Sequence, residues 1–191
     1  RSSDKEPRRL TDSNPWLRKM QFAKQEVVKY KARDGLELEG VLIHPLNRKE
    51  GERVPLVLHV HGGPEAHYSN GWITRYADLG QVAAARGMAS FYPNYRGSTG
   101  YGVEFSMKGQ REAGGKEFDD LIDGVDHLVK MGLVDEKKVG ITGVVAMRAT
   151  ESRSPSSSLG IPQQASFSTI TYGISLCSRI ASRSWPMPGS L

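Results

Sequence analysis

The period of apolar and polar positions changes several times between Glu26 and Gly143, and each change predicts an element. Glu26 to Tyr30 and Leu36 to His44 alternate on either side of Arg33-Asp34-Gly35. An Asp-Gly turn between β-rich arms predicts a hairpin that opens the domain. The charged stretch from Asn47 to Arg53 reads as a surface loop, and Val54 to Val60 follows as a strand-length, largely apolar run. That run ends in His61-Gly62-Gly63-Pro64, so a buried strand passes directly into a tight loop. Trp72 to Arg86 carries Ile73, Tyr76, Ala77, Leu79, Val82, Ala83 and Ala84 at helical spacing, with Gly87 placed to end the helix.

Met88 to Tyr92 predicts another short strand, and Asn94 to Gly102 a glycine-rich loop. From Phe118 to Met131, the residues Phe118, Leu121, Ile122, Val125, Leu128 and Val129 recur at steps of three and four, and Gly132 stops the pattern. Asp135 to Lys138 predicts a turn and Val139 to Gly143 a strand. Strand, helix, strand, helix, strand in this order predicts an α/β domain with parallel strands joined by right-handed crossovers.

The flanks have a different character. Arg1 to Phe22 is polar, with Pro7, Pro15 and the turn-prone Thr11-Asp12-Ser13-Asn14, and reads as the end of a preceding module and a linker. After Gly143 there are about a dozen serines, several prolines, no aspartate and a single glutamate, Glu151. No apolar period survives there for two turns, and an α/β domain does not continue in this way. The chain therefore divides into 1–22, 23–143 and 144–191.

Length and composition bound the class without choosing within it. A chain of 191 residues with 38% hydrophobic and 25% charged residues can build one globular domain. The apolar runs are strand-sized, and no charged-then-apolar leader precedes them. Because the first residue is Arg1, that absence says nothing about compartment, and localisation stays unknown. The net charge of +5 comes mostly from Arg148, Arg153, Arg179 and Arg183 in the last segment. No basic helix or basic-aromatic interleaving accompanies it, so neither nucleic acid nor membrane is an expected partner. The single cysteine, Cys177, permits no internal disulfide and no multi-thiolate metal site.

Candidate chemistry gathers at the strand ends. A strand running into Gly62-Gly63 can bring backbone N–H groups close to a ligand, as in the HGGG-type oxyanion loop of lipases and esterases, and a plain strand and turn would read the same way. His59 and His61 share a face of their strand, but no Asp or Glu at ligand spacing joins them, so no metal is expected. Arg96 suits either a substrate carboxylate or a structural ion pair. The loop from Gly97 to Gly102 lacks the lysine of a P-loop and the third glycine of a dinucleotide fingerprint, so no nucleotide is expected there. Glu117, Asp119, Asp120 and Asp123 read as the solvated face of the long helix. Ser69 and Ser98 are loop hydroxyls outside any strained elbow.

Four motifs in order carry a resemblance: Arg9-Leu10-Thr11-Asp12, His61-Gly62-Gly63-Pro64, Asn94-Tyr95-Arg96-Gly97-Ser98 with Gly100-Tyr101-Gly102, and Val139-Gly140-Ile141-Thr142-Gly143. From about Arg8 to Gly143 the chain resembles the prolyl oligopeptidase family of serine peptidases, which join an α/β-hydrolase domain to a β-propeller. Dipeptidyl and acylaminoacyl peptidases look closer than strict prolyl endopeptidases. The resemblance implies the N-terminal half of an α/β-hydrolase fold behind a short propeller remnant, no cofactor, and a peptide substrate for the intact parent. It also implies an oxyanion donor at His61, with Gly62 and Gly63 shaping the loop.

In that family the strand ending in Ile-Thr-Gly leads into Gly-Gly-Ser-x-Gly-Gly. Here it leads into Val144-Val145-Ala146-Met147-Arg148-Ala149-Thr150, and no G-x-S-x-G occurs anywhere in the chain. The triad order Ser, Asp or Glu, His puts the other two members after the elbow, so this polypeptide is expected to be inactive. A catalytically dead interaction product and a non-peptidase esterase of the same fold are the alternatives. The genetic code adds one observation. Codons begun on the third base of each residue from Gly143 take GT, GT, GC, AT, CG, GC and AC as their last two bases. With suitable first bases they spell Gly-Gly-Ser-Tyr-Ala-Gly-Tyr, an elbow of the family type, which makes 144–191 readable as an out-of-frame or alternatively spliced tail.

Overall fold

The computed structural model describes residues 10–62, 66–73, 78–110 and 115–143. Five strands, β1 (Gln25–Lys31), β2 (Glu37–Ile43), β3 (Val54–Val60), β4 (Ala89–Asn94) and β5 (Val134–Gly143), form one sheet in the order β1-β2-β4-β3-β5. The helices are α1 (Gly80–Ala85), α2 (Val103–Met107) and α3 (Lys116–Lys130). β1 and β2 form the expected hairpin, with Gly35 at φ 88° in its turn, and β2 pairs antiparallel with β4. β3 pairs parallel with both β4 and β5. The sheet is thus mixed, and its parallel part begins where the helical crossovers begin.

The strand period of two sorts side chains onto two faces. Val28, Tyr30, Leu38, Leu42, Leu56, Leu58 and Phe91 point to one face and meet Leu121, Val125 and Leu128 of α3. That helix lies close because Gly124 faces the sheet, where a Cβ would stand 3.0 Å from the Phe91 ring and 3.1 Å from that of Tyr30. The opposite face carries Val41, Ile43 and Tyr92 under Ala84 of α1.

Several expectations change. The helix expected from Trp72 to Arg86 is limited to α1 among the described residues. Trp72 is 64% exposed, packs edge-on against Phe22 at 5.1 Å and takes no part in a helix, while 74–77 lie outside the described residues. The turn expected over Asp135 to Lys138 is a bulge inside β5: the register steps from Val54↔Val134 to Leu56↔Val139, and the Lys137 amide caps on Asp135. α2 was not foreseen, because Val103 and Met107 are exposed and give it no apolar stripe. The propeller remnant has no counterpart among the described residues: 10–22 hold a 3₁₀ turn, Pro15–Lys19, and no strand, and 1–9 lie outside them, as do 144–191.

Candidate functional site

The three parallel strands end on one side of the sheet, bringing His61, Asn94 and Gly143 to the same edge. Gly143 has φ 152°, and a Cβ there would lie 2.0 Å from the Val60 carbonyl oxygen. Only glycine lets β5 run this close to β3 at its end.

His61 is the centre of the cluster. Its ring is buried, stacks on Tyr95 at 4.4 Å and meets Tyr68 edge-on at 5.5 Å. Nε2 lies 2.9 Å from Ser98 Oγ, and Ser98 Oγ lies 2.6 Å from the Tyr95 carbonyl oxygen. The Tyr95 hydroxyl donates to the His61 carbonyl at 2.5 Å. Burial lowers the His61 pKa, so the ring is neutral at pH 7. Ser98 is fully buried, with its hydroxyl held in this chain.

Since the peptide between His61 and Gly62 is trans, the carbonyl held by Tyr95 turns the Gly62 N–H the other way. That N–H makes no hydrogen bond among the described residues. Gly63, the other expected loop glycine, lies outside them.

Asn94 fastens the loop that follows. Its side-chain amide accepts from the Tyr68 N–H at 2.7 Å and donates to the Tyr68 carbonyl at 2.9 Å, as a strand neighbour would. It also donates to the Tyr101 hydroxyl, which donates to Glu39 at 2.9 Å. Burial, reinforced by the Glu39 carboxylate, pushes the Tyr101 hydroxyl up to about 12. A cavity of about 220 Å³ opens beside these groups, between the loops at 67–70 and 100–101.

Arg96 is committed elsewhere. Its Nε and Nη2 reach Asp120 at 2.8 and 2.6 Å, its backbone N–H reaches the same carboxylate at 3.0 Å, and Nη1 and Nη2 reach Asp34 at 2.8 and 3.1 Å. Asp120 is fully buried. Of the two roles open to Arg96, the geometry fits the structural ion pair, because Nε, Nη1 and Nη2 all bond to the two carboxylates. The acidic face of α3 is corrected with it. Asp120 is inside, and Asp119 and Asp123 pair with Arg33 at 2.7 and 2.9 Å. His59, on the same face of β3 as His61, stacks on Tyr92 at 4.1 Å, and burial pushes its pKa down to about 4.

A second Ser–His contact exists, Ser69 Oγ to His67 Nε2 at 3.2 Å. The other ring nitrogen meets the Thr99 hydroxyl, and a hydroxyl cannot stabilise an imidazolium as a carboxylate does. This pair therefore lacks the third member of a triad. Sequence reasoning assigns Asn94 and Tyr95 no role beyond their motif and reads Asp120 as solvated, since each acts through partners 24 to 34 residues away.

Residues 76–146 match the family model described as the prolyl oligopeptidase family. The chain is 35% identical over 140 residues to the uncharacterized peptidase YuxL of Bacillus subtilis, covering 72% of this chain and 21% of that protein. It is 38% identical over 141 residues to dipeptidyl aminopeptidase BIII of Pseudoxanthomonas mexicana, covering 71% of this chain and 20% of the relative. The acylaminoacyl peptidase of Pyrococcus horikoshii superposes with a TM-score of 0.64 at 34% identity, over 74% of this chain and 22% of that one. The chain thus spans about a fifth of the length of these relatives.

Proposed function

The chain belongs to the prolyl oligopeptidase family and has its α/β-hydrolase fold, and from that premise we propose that it carries the oxyanion side of a serine peptidase site but not the nucleophile. The observation that supports this reading is that β3, β4 and β5 end on one side of the sheet, with a Gly62 N–H that makes no hydrogen bond among the described residues and with Val144 to Thr150 following β5 where a nucleophile elbow belongs. In an intact parent, a serine in that elbow would attack the peptide carbonyl and lose its proton to a histidine. The carbonyl oxygen, now negative, would be held by the Gly62 amide and the amide after the serine. Losing one such donor costs a factor on the order of 10² to 10³ in kcat, whereas losing the nucleophile removes the acyl-enzyme route altogether.

The 191-residue polypeptide is therefore expected to be inactive as a peptidase, and 144–191 to be a tail read in another frame. Labelling with a fluorophosphonate tests the first statement: no stable adduct is expected on this chain. An adduct on Ser69 or on any serine of 144–191 would overturn it. The same missing elbow favours a second reading, an inactive product that binds peptides or pairs with full-length chains through its sheet edge. Co-purification with the intact enzyme, against none with an unrelated α/β-hydrolase, is the result expected of that reading.

A further inference from the structure

The shortest contacts around the His61 ring fix the place of its proton. Ser98 Oγ and the Tyr95 carbonyl oxygen are 2.6 Å apart, and two oxygens that close need a proton between them. The Ser98 hydroxyl therefore donates to Tyr95 and is left as an acceptor toward His61 Nε2, 2.9 Å away, so Nε2 carries the ring proton. Nδ1 is then left without a proton: the Gly62 carbonyl oxygen, which can only accept, lies 3.3 Å away and does not compete with the shorter Ser98 contact, and the Tyr95 hydroxyl oxygen lies at the same 3.3 Å. The Tyr95 hydroxyl has one proton and spends it on the His61 carbonyl, its nearer partner at 2.5 Å. The result is a closed loop: ring to Ser98, Ser98 to the Tyr95 backbone, and the Tyr95 side chain back to the His61 backbone.

We propose that Tyr95 and Ser98 are positioning residues that bolt the His61 ring as a single Nε2–H tautomer and hold the His61–Gly62 peptide in one orientation, so that the loop presents a backbone amide and not the imidazole as its oxyanion donor. This rests on the oxyanion reading of the loop at 61–62. The imidazole has no N–H left to offer, because its one ring proton is already bonded at Ser98. The stacked Tyr95 ring adds a wall that opposes rotation of His61 about its side-chain bonds. Flipping the 61–62 peptide would break the Tyr95 bond and turn the carbonyl toward the space where the reacting oxygen belongs.

The test is ¹⁵N–¹H NMR of the full 191-residue chain labelled at histidine and glycine, which reads the tautomer from the two ring nitrogens and the loop from the Gly62 amide. His61 is expected to show the Nε2–H pattern alone at pH 7. In Ser98→Ala that pattern should give way to averaged nitrogens, and in Tyr95→Phe the Gly62 amide signal should shift or broaden while Nε2–H persists. A wild-type His61 that is Nδ1–H or averaged overturns the inference, with no dependence on any variant folding. So does a Gly62 amide unmoved in Tyr95→Phe. Failure of the oxyanion reading shows separately: a parent with its elbow restored that labels with fluorophosphonate and keeps full activity with proline in place of Gly62 removes that reading, whatever the tautomer.

Discussion

Among single residues, Arg96 has the largest expected consequence. Its guanidinium, buried with Asp120 and capped from outside by Asp34, ties the loop after β4 to both α3 and the β1–β2 turn. Removing Asp120 leaves a buried cation without its main partner, which costs about 3–5 kcal/mol, whereas Asp34 is 40% exposed and its loss should cost no more than about 1 kcal/mol. Urea unfolding of Asp120→Ala and Asp34→Ala should show that order, and equal losses would contradict it. His59 gives the acid limb its shape. Its folded pKa of about 4 lies below the usual 6.5, so the unfolded chain binds the extra proton between those values. Stability should fall as pH drops from 6.5 to 4, by on the order of 3 kcal/mol, with His61 acting in the same direction. In His59→Phe that part of the pH profile should flatten. Asp34, held at about 2 by Arg96, keeps its contribution down to about pH 4 and loses it on the way to pH 2. The sequence showed Arg96 as a candidate but not its answer, because its two acids stand 24 and 62 residues away and only the fold brings them together.

At the scale of elements, most of the sheet was legible, because strands buried on one or both faces declare themselves by period. β3 has the expected bounds, and β1, β2 and β4 lie within two residues of the expected ones. α3 was legible from six apolar positions, and Gly132, at φ 75°, ends it as its place in the sequence implied. α1 was over-read: Trp72 and Leu79 fit a helical period but are exposed, and periodicity alone cannot tell a core residue from one that packs outside the core. The bulge in β5 was missed because Asp135 has the same local turn chemistry inside a strand as outside one. The closest contact between elements is the one at the end of β5. Gly143→Ala would drive a Cβ into the Val60 carbonyl from a backbone conformation that L side chains rarely adopt. We expect a loss of at least about 2 kcal/mol, read as a melting temperature lowered by roughly 6 °C, and an unchanged melting temperature would show that β5 does not end against β3 in this way.

For the molecule as a whole, the described residues form an α/β-hydrolase sheet of the prolyl oligopeptidase family, with its site edge assembled as far as Gly143. What the sequence made legible beyond the fold was a break in chemistry: a strand aimed at an elbow, followed by residues that supply none. The cause we propose, a change of reading frame, would leave everything before Gly143 intact. The most direct measurement is the nucleotide sequence across codons 140 to 155, in genomic DNA and in transcript. The shifted frame is expected to read Gly-Gly-Ser-Tyr-Ala-Gly-Tyr and to run open toward an acid and a histidine. Bases that forbid a serine at that place, or a stop codon immediately after it, would contradict this reading and leave 144–191 as a genuine part of the protein.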